Sequence, residues 1–254
     1  MLIDTHCHLY LEEFKPDISE VIKRADEEGV KKFCLPGIDS CEIENMLSLE
    51  TRFPESCILM MGLHPCSVKQ NYQEELEIVR NWLSKRRFAA VGEIGLDFYW
   101  DKTFTEQQYI AFRQQIEWSI EYRLPIVIHT RNAMQETIDE VKKYASEGVR
   151  GIFHCFGDNY NYAREIIDMG FYLGIGGVLT YKKSGLAEVL EKIDLANIVL
   201  ETDSPYLTPV PFRGKRNESS YLKYIVEKLA EVKKISTDEV AEITSNNAQK
   251  IFGL

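Results

Sequence analysis

LIDTHCH, residues 2–8, is a short apolar run that turns polar and ends in a His-x-His pair. Side chains on a strand alternate between two faces, so His6 and His8 point one way and Cys7 points the other. Two imidazoles on one face can chelate a single metal ion. In the alternative interpretation, one histidine packs or hydrogen-bonds while the other is solvated. The rest of the sequence has to decide between these two interpretations.

The chain has 254 residues, of which 44% are hydrophobic, and a formal net charge of −10. This charge argues against broad, sequence-independent binding of duplex DNA, which needs a large basic face. It does not exclude an enzyme that holds a few phosphates at a metal centre, because bound divalent ions bring positive charge to the place where it is needed.

No apolar run approaches the roughly 18 residues of a membrane span, and the N-terminus does not resemble a signal peptide. The cysteines show no CxxC spacing and lie in or beside apolar runs, which indicates reduced, mostly buried thiols. We therefore expect a cytoplasmic protein with no membrane partner and no obligate protein partner. The cysteines are Cys7, Cys34, Cys41, Cys57, Cys66 and Cys155.

A short apolar run followed by an amphipathic helical pattern recurs eight times. Such alternation, with almost continuously apolar strands, predicts an α/β fold with an all-parallel sheet. Eight units favour a closed TIM (β/α)8 barrel, here a single domain over residues 1–254 with extra C-terminal helices at Ser219–Lys233 and Thr237–Phe252. Thr105 and Gln108 suggest a capping box. After the first strand, the predicted strands are Lys31–Pro36, Cys57–Leu63, Phe88–Val91, Ile126–His129, Val149–His154, Phe171–Gly174 and Asn197–Leu200.

All five histidines lie at or directly after the carboxyl end of a predicted strand, and two acidic residues do the same. Carboxyl ends of parallel barrel strands meet on one rim, where such enzymes place their active sites, so these side chains should converge. Histidines that only pack the core would also be scattered over helices and loops. The residues are His6, His8, His64, His129 and His154, with Glu93 after the fourth strand and Asp203 after the eighth.

Four imidazoles and two carboxylates exceed the needs of one tetrahedral ion and suit a two-metal centre. Glu93 is the natural bridge, because each of its two oxygens can bind one ion. Asp203 is also placed to orient and deprotonate a water whose pKa an ion has lowered, so Asp203 and Glu93 are the candidate catalytic residues. The remaining predicted ligands are His6, His8 and Asp203 for one ion, and His129 and His154 for the other.

Six segments, in order along the chain, carry a resemblance to a known family. Together they resemble the successive motifs of the TatD family of deoxyribonucleases, which lies within the amidohydrolase-like metal-dependent barrels. The resemblance implies a TIM barrel, a two-metal site with the same six ligands, and hydrolysis of phosphodiesters, often as a 3′→5′ exonuclease on single-stranded ends. The segments are DTHCHL (4–9), GLHP (62–65), GEIGLDFYW (92–100), IHTRNA (128–133), HCFGD (154–158) and ETDSPYLTPVPFRGKRNE (201–218).

The resemblance also matches His64 to a histidine near the substrate phosphate. Arg131 and Arg216 are predicted to bind substrate phosphates, against the alternatives of a surface ion pair and a solvated basic loop. Glu201 shares strand parity with Asp203 and is a candidate partner of the metal ligands, or else a charge-paired core carboxylate. Five rim aromatics are candidates for stacking on unpaired bases, with plain loop packing as the alternative. They are Phe98, Tyr99, Trp100, Tyr206 and Phe212.

The predicted function is a divalent-metal-dependent deoxyribonuclease whose partner is DNA, single-stranded or at ends. The histidine count suits Zn²⁺, Mn²⁺, Co²⁺ or Ni²⁺, whereas the family resemblance implies Mg²⁺ for activity. One alternative is an amidohydrolase or esterase that acts on a small molecule or on aminoacyl-tRNA. The other is a metal-holding barrel that binds nucleic acid without turnover.

Overall fold

The computed structural model describes all residues, Met1–Leu254, in eight parallel strands and nine α-helices. The strands are β1 (Leu2–Asp4), β2 (Val30–Leu35), β3 (Cys57–Leu59), β4 (Val91–Asp97), β5 (Ile126–Arg131), β6 (Gly151–Phe153), β7 (Tyr172–Ile175) and β8 (Ile198–Leu200). The helices are α1 (Ile18–Glu27), α2 (Ile43–Arg52), α3 (Tyr72–Lys85), α4 (Thr105–Tyr122), α5 (Met134–Lys142), α6 (Tyr160–Asp168), α7 (Leu186–Leu190), α8 (Leu222–Lys233) and α9 (Thr237–Phe252).

The strands form two hydrogen-bonded sheets, β1-β2-β3 and β4-β5-β6-β7-β8, and two seams close them into a ring. At the seam between β3 and β4, Met61 bridges Val91 in parallel. At the seam between β8 and β1, the Thr5 amide donates to the Leu200 carbonyl (3.0 Å), and Cys7 bridges Ser204. The predicted TIM (β/α)8 barrel is therefore confirmed.

Apolar side chains divide into two layers because successive residues of a strand face opposite sides. In β5, Ile126 and Ile128 join the large cluster between strands and helices, whereas Val127 joins a small inner cluster. Helix α9 completes the inner cluster with Ile251 and Phe252. The strand-side residues of the inner cluster are Ile3, Cys34, Met60, Ala90, Val127, Ile152 and Val199.

Helix α9 covers the amino ends of the strands, opposite the rim where the predicted site residues lie. Its Asn247 side chain donates to the carbonyls of Leu195 and Ile198 at the start of β8 (2.8 Å each). Its Ser245 hydroxyl donates to the carbonyl of Met1 (2.9 Å). Helix α8 is the helix of the eighth strand–helix unit. Because α9 covers the amino ends of the strands, the barrel is closed at that end, and its polar mouth lies at the carboxyl ends.

The fourth strand differs most from its prediction. It spans Val91–Asp97 rather than Phe88–Val91, so Glu93 lies inside the strand instead of after it. Apolar periodicity missed this extension because glycines and acidic residues occupy much of it.

The expected capping box of Thr105 and Gln108 is wrong. Helix α4 begins at Thr105, and its preceding residue makes no side-chain cap. The Gln108 side chain instead binds β4, accepting from the Asp97 amide (2.9 Å) and donating to the Asp97 carbonyl (3.1 Å). Gln108 therefore fixes the carboxyl end of β4 and does not cap the helix.

None of the nine helices is both long and apolar enough to cross a bilayer. The six cysteines form no disulfide, and Cys7, Cys34 and Cys57 are buried.

Gly151 tests how closely the strands pack. A Cβ atom on Gly151 would lie 1.9 Å from the Ile126 carbonyl oxygen of the neighbouring strand, whereas one on Gly157 would meet nothing closer than 3.7 Å. We expect Gly151→Ala to lower the free energy of unfolding by about 3 kcal/mol through overpacking. Gly157→Ala is the control and should change it by less than about 1 kcal/mol. Urea denaturation followed by circular dichroism measures both, and equal losses would contradict the packing argument.

A charge pair ties the segment before α8 to α1, 194 residues away along the chain. The Arg24 guanidinium donates to both carboxylate oxygens of Glu218 (2.8 and 2.6 Å). Burial opposes ionisation of Glu218, but Arg24 and the Ser220 hydroxyl outweigh it and hold the pKa of Glu218 below its ordinary value. The pair therefore contributes stability above the pKa of an unfolded glutamate, and this is lost as the pH falls through the folded pKa.

Glu218→Gln should lower the free energy of unfolding by about 1–3 kcal/mol at pH 7, the range for a hydrogen bond to a charged group. The difference from the wild type should shrink as the pH is lowered below the ordinary glutamate pKa of about 4.3. Glu227→Gln, on the exposed face of α8, is the control and should show neither effect. Urea denaturation at several pH values measures this; a pH-independent loss at Glu218 would exclude the charge pair as its origin.

Candidate metal centre

Glu93 reaches the barrel mouth from a bulge in β4. Gly92 pairs with Val127 and Ile94 pairs with Ile128, so Glu93 has no partner in β5. Its amide donates instead to the Gly37 carbonyl, just after β2 (3.0 Å). A bulge of this kind redirects a side chain, and here it delivers a carboxylate that is only 2% exposed.

One carboxylate oxygen of Glu93 belongs to a first set of donor atoms with His6, His8 and Asp203. Nε2 of His6 lies 3.2 Å from Nε2 of His8 and 3.1 Å from Oε2 of Glu93. Oδ1 of Asp203 lies 3.8 Å from Nε2 of His6 and 3.5 Å from Nε2 of His8. Donors separated by 3.1–3.8 Å around a tetrahedral centre lie roughly 1.9–2.3 Å from it, the range of Zn–N and Zn–O bonds.

The other oxygen of Glu93 belongs to a second set. Oε1 lies 2.8 Å from Nδ1 of His129 and 2.8 Å from Nε2 of His154. Nε2 of His64 lies 3.3 Å from the same oxygen. The structure thus brings together all six predicted ligands, with His64 beside them and Glu93 between the two sets.

Hydrogen bonds set the tautomer of His8 so that its Nε2 can act as a ligand atom. The Tyr10 hydroxyl donates its one proton to the Pro36 carbonyl. Nδ1 of His8, 3.0 Å from that hydroxyl, must therefore donate to it. In neutral His8 the lone pair is then on Nε2, pointing at the first set, as metal binding requires.

Asp97 sets the tautomer of His129 in the same way. Its Nε2 lies 2.9 Å from Oδ2 of Asp97, which can only accept, so Nε2 carries the proton. In the neutral ring the lone pair on Nδ1 would face a carboxylate oxygen of Glu93. This contact is favourable only if a proton or a metal ion lies there, so the donor chemistry fits a cation.

In His64 the inward-facing ring nitrogen carries the proton, the opposite of His8 and His129. Its Nδ1 accepts from the Cys66 amide (3.0 Å), so the proton of the neutral ring is on Nε2. Its inward-facing nitrogen is therefore a hydrogen-bond donor, which distinguishes His64 from the predicted metal ligands.

The histidines keep both carboxylates ionised. Burial opposes ionisation of Glu93, but the charges of His154, His64 and His6 outweigh it and hold its pKa well below the ordinary value. For Asp203, burial is likewise outweighed, by His8, His154 and His6, and its pKa is lowered. Buried anions this close to nitrogen donors form a strongly cation-attracting site.

Glu201 lies beside His154, as its strand parity suggested. The Cys155 amide donates to the Glu201 carboxylate, and Nδ1 of His154 lies 3.5 Å from the same carboxylate. Gly174 makes room for this group: a Cβ there would lie 2.3 Å from Oε2 of Glu201. Side chains in this position orient metal-binding histidines in other proteins.

The loop that carries Asp203 is fixed by buried polar contacts. The Thr202 amide (2.9 Å) and hydroxyl (2.6 Å) donate to Asp4, as does the Ser219 hydroxyl (2.6 Å). Asn217 donates to the Thr202 carbonyl (2.7 Å). The roles of Asp4 and Asn217 are not visible in the sequence, because their partners lie 198 and 15 residues away along the chain.

The two predicted phosphate-binding arginines have different surroundings. Arg131 makes no ion pair, and its guanidinium lies 3.9 Å from the centroid of the Tyr99 ring. Arg216 forms two hydrogen bonds to Asp17 (2.8 and 2.7 Å) and lies over the Phe14 ring. Its charge is therefore compensated within the protein, whereas that of Arg131 is not.

A parallel barrel with a buried histidine–carboxylate cluster at its mouth defines the protein as a metal-dependent hydrolase. The chain belongs to the TatD family, described as TatD related DNase, which matches residues 3–253. This confirms the resemblance found in the sequence motifs.

Similar proteins cover the full length of the chain. YabD of Bacillus subtilis strain 168, described as an uncharacterized metal-dependent hydrolase, is 39% identical over 99% of both chains. The 3′-5′ ssDNA/RNA exonuclease TatD of Erwinia tasmaniensis is 30% identical over 100% of both. The crystal structure of YjjV, a TatD homologue from Escherichia coli K12, has a TM-score of 0.94 at 28% identity, covering 100% of this chain and 98% of that one.

Asp97→Asn tests whether Asp97 positions His129. The amide cannot accept from His129 with the strength of a carboxylate, so Zn²⁺ or Mn²⁺ affinity should fall by about 10–100-fold. Asp101→Asn is the matched control, because this half-exposed rim carboxylate binds Lys69 (2.8 Å) and no histidine. Competition with a chromogenic chelator measures the affinity; equal affinities for the two variants would exclude the positioning role.

Proposed function

We propose that the protein is a DNase that uses two divalent ions to hydrolyse phosphodiester bonds, as a 3′→5′ exonuclease on single-stranded ends. The observation that carries this proposal is the position of Glu93, with one oxygen in each of two donor sets. Two adjacent cation sites are typical of enzymes that displace an alkoxide from phosphorus.

The proposed ligands are those predicted from the sequence: His6, His8, Glu93 and Asp203 for one ion, and Glu93, His129 and His154 for the other. Bound ions supply Lewis acidity, which lowers the pKa of a coordinated water and offsets the charge of the phosphodiester. Mg²⁺ is expected for activity, although the many nitrogen donors also suit Zn²⁺, Mn²⁺, Co²⁺ or Ni²⁺.

Asp203 is proposed as the group that orients the attacking water and accepts its proton. Its side chain is 14% exposed, against 2% for Glu93, so Asp203 is the carboxylate that solvent reaches. Its lowered pKa keeps it anionic and able to accept a hydrogen bond from water at neutral pH.

His64 and Arg131 are proposed to hold the substrate phosphate. The inward N–H of His64 is a donor suited to a non-bridging oxygen or to the leaving group. Arg131 carries a charge that no carboxylate of the protein compensates. The role predicted for Arg216 would require its guanidinium to contact phosphate while it remains bound to Asp17, and it stays a prediction.

Asp203→Asn should lower kcat on a 5′-labelled single-stranded oligonucleotide by about 10²–10⁴-fold, the usual contribution of a general base. Wild-type activity should require added Mg²⁺ or Mn²⁺ and be abolished by a chelator. Asp158→Asn is the control, since this partly exposed rim aspartate bonds only its neighbour Asn159. Gel analysis of the products also gives the direction of cleavage.

Parallel assays with aminoacyl esters and small amides under the same metal conditions test the alternative hydrolase. Turnover of those esters without cleavage of any oligonucleotide would overturn the DNase assignment. Tight oligonucleotide binding without turnover under any metal would overturn it in favour of a binding protein.

A further inference from the structure

Two aromatic side chains are exposed on the rim loop directly after β4. Trp100 is 67% exposed and Tyr99 is 51% exposed, and their rings meet edge to face with centroids 4.9 Å apart. A tryptophan in contact with this much water contributes little to packing of the loop. Exposed planar apolar surface beside a catalytic mouth is typical of a ligand-binding surface.

Arg131 gives this surface a positive charge. Its guanidinium lies 3.9 Å from the ring centroid of Tyr99 and 5.1 Å from that of Trp100, and it makes no ion pair. Although the chain has a net charge of −10, Arg131 therefore brings an uncompensated positive charge to this exposed aromatic pair. Aromatic faces next to an arginine match a nucleotide, which offers a planar base and an anionic phosphate.

Asp97 joins this surface rigidly to the metal centre. One carboxylate oxygen accepts from the amides of Tyr99 (2.9 Å) and Trp100 (3.1 Å). The other binds Nε2 of His129 (2.9 Å). The aromatic pair is therefore held at a fixed position relative to a proposed metal ligand by a single buried side chain.

We infer that Trp100, Tyr99 and Arg131 form a subsite that stacks on the unpaired base next to the scissile phosphate. This inference rests on the proposed nuclease function and goes beyond it by naming the residues that select the substrate. Paired bases already stack on their neighbours, so a stacking subsite favours single-stranded ends. The other rim aromatic near the ligands, Tyr206, lies 6.1 Å from His8 between ring centroids and is not part of this surface.

The experiment compares Trp100→Ala with Trp100→Phe on single-stranded oligonucleotides in the presence of Mg²⁺ or Mn²⁺. Trp100→Ala should lower kcat/KM by about 5–150-fold, mainly through KM, because one stacked base is worth about 1–3 kcal/mol. Trp100→Phe should restore most of the loss. Tyr160→Ala is the control and should leave kcat/KM unchanged. It removes a partly exposed aromatic ring at the start of α6, over which the Lys192 ammonium lies.

A set of oligonucleotides with one abasic site at successive positions from the cleaved end locates the stacked base. At that position the wild type should fall to the level of Trp100→Ala, and Trp100→Ala should lose nothing further. Hydrolysis of a fully abasic deoxyribose phosphodiester oligomer, a base-free ester without any aromatic ring, should be the same in all variants.

The outcomes separate this inference from the function on which it rests. If the wild type cleaves oligonucleotides and Trp100→Ala cleaves them equally well, only the stacking subsite is wrong. If Trp100→Ala slows the base-free ester as much as the oligonucleotide, Trp100 acts through Asp97 on the metal centre, which also overturns the subsite. If the wild type cleaves the ester but no oligonucleotide, the nuclease function and the subsite are both wrong.

Discussion

A buried carboxylate surrounded by imidazoles is the interaction on which this structure depends. Glu93 is 2% exposed, and four histidine nitrogens lie within 3.3 Å of its two oxygens. An anion cannot be buried at this depth without a compensating cation, so the barrel mouth must take up protons or metal ions. The bulge in β4 and the side-chain-free backbone at Gly92 are what allow this carboxylate to enter the mouth.

The groups around the histidines decide which ring nitrogens can face a cation. Tyr10 and Asp97 accept hydrogen bonds from the outer nitrogens of His8 and His129, which leaves the lone pair of each neutral ring pointing inward. The Cys66 amide does the reverse to His64, whose inward nitrogen carries a proton. In the proposed site, one residue type would therefore supply both metal ligands and a hydrogen-bond donor for an anion, and the hydrogen-bond partner of each histidine determines which role its ring can take.

Sequence patterns predicted which residues would meet but not how they are oriented. His6, His8, His154 and Asp203 follow strand ends, and His129 lies near the carboxyl end of β5. Strand ends meet in a parallel barrel, so the convergence of these side chains was predictable. The predicted position of Glu93 at the barrel mouth is correct, although the predicted end of the fourth strand is wrong. The boundary is wrong because periodicity of apolar residues does not detect a bulge. Nothing in the local sequence around Asp97 and Tyr10 indicates a contact with a histidine. Only the tertiary structure shows that they set the tautomers of His129 and His8. Arg216 is basic in sequence, but its pairing with Asp17, 199 residues away, was not visible there.

The distribution of charge also limits which nucleic acids this barrel can hold. With 40 acidic and 30 basic residues, most arginines and lysines are available to neutralise the protein's own carboxylates, as Arg24 and Arg216 do. Arg131 and Arg213 make no ion pair, and each lies 3.9 Å from a tyrosine ring centroid instead. On the rim loops, these two arginines alone provide too little charge to track a duplex backbone, whose binding requires many phosphate contacts. Under the proposed function, they provide enough charge to guide a few nucleotides of a free strand toward a mouth where bound metal ions would supply the remaining positive charge. An acidic surface would then restrict the substrate of the proposed nuclease to an end, since the cation site would accept only the phosphates that can reach the bottom of the mouth.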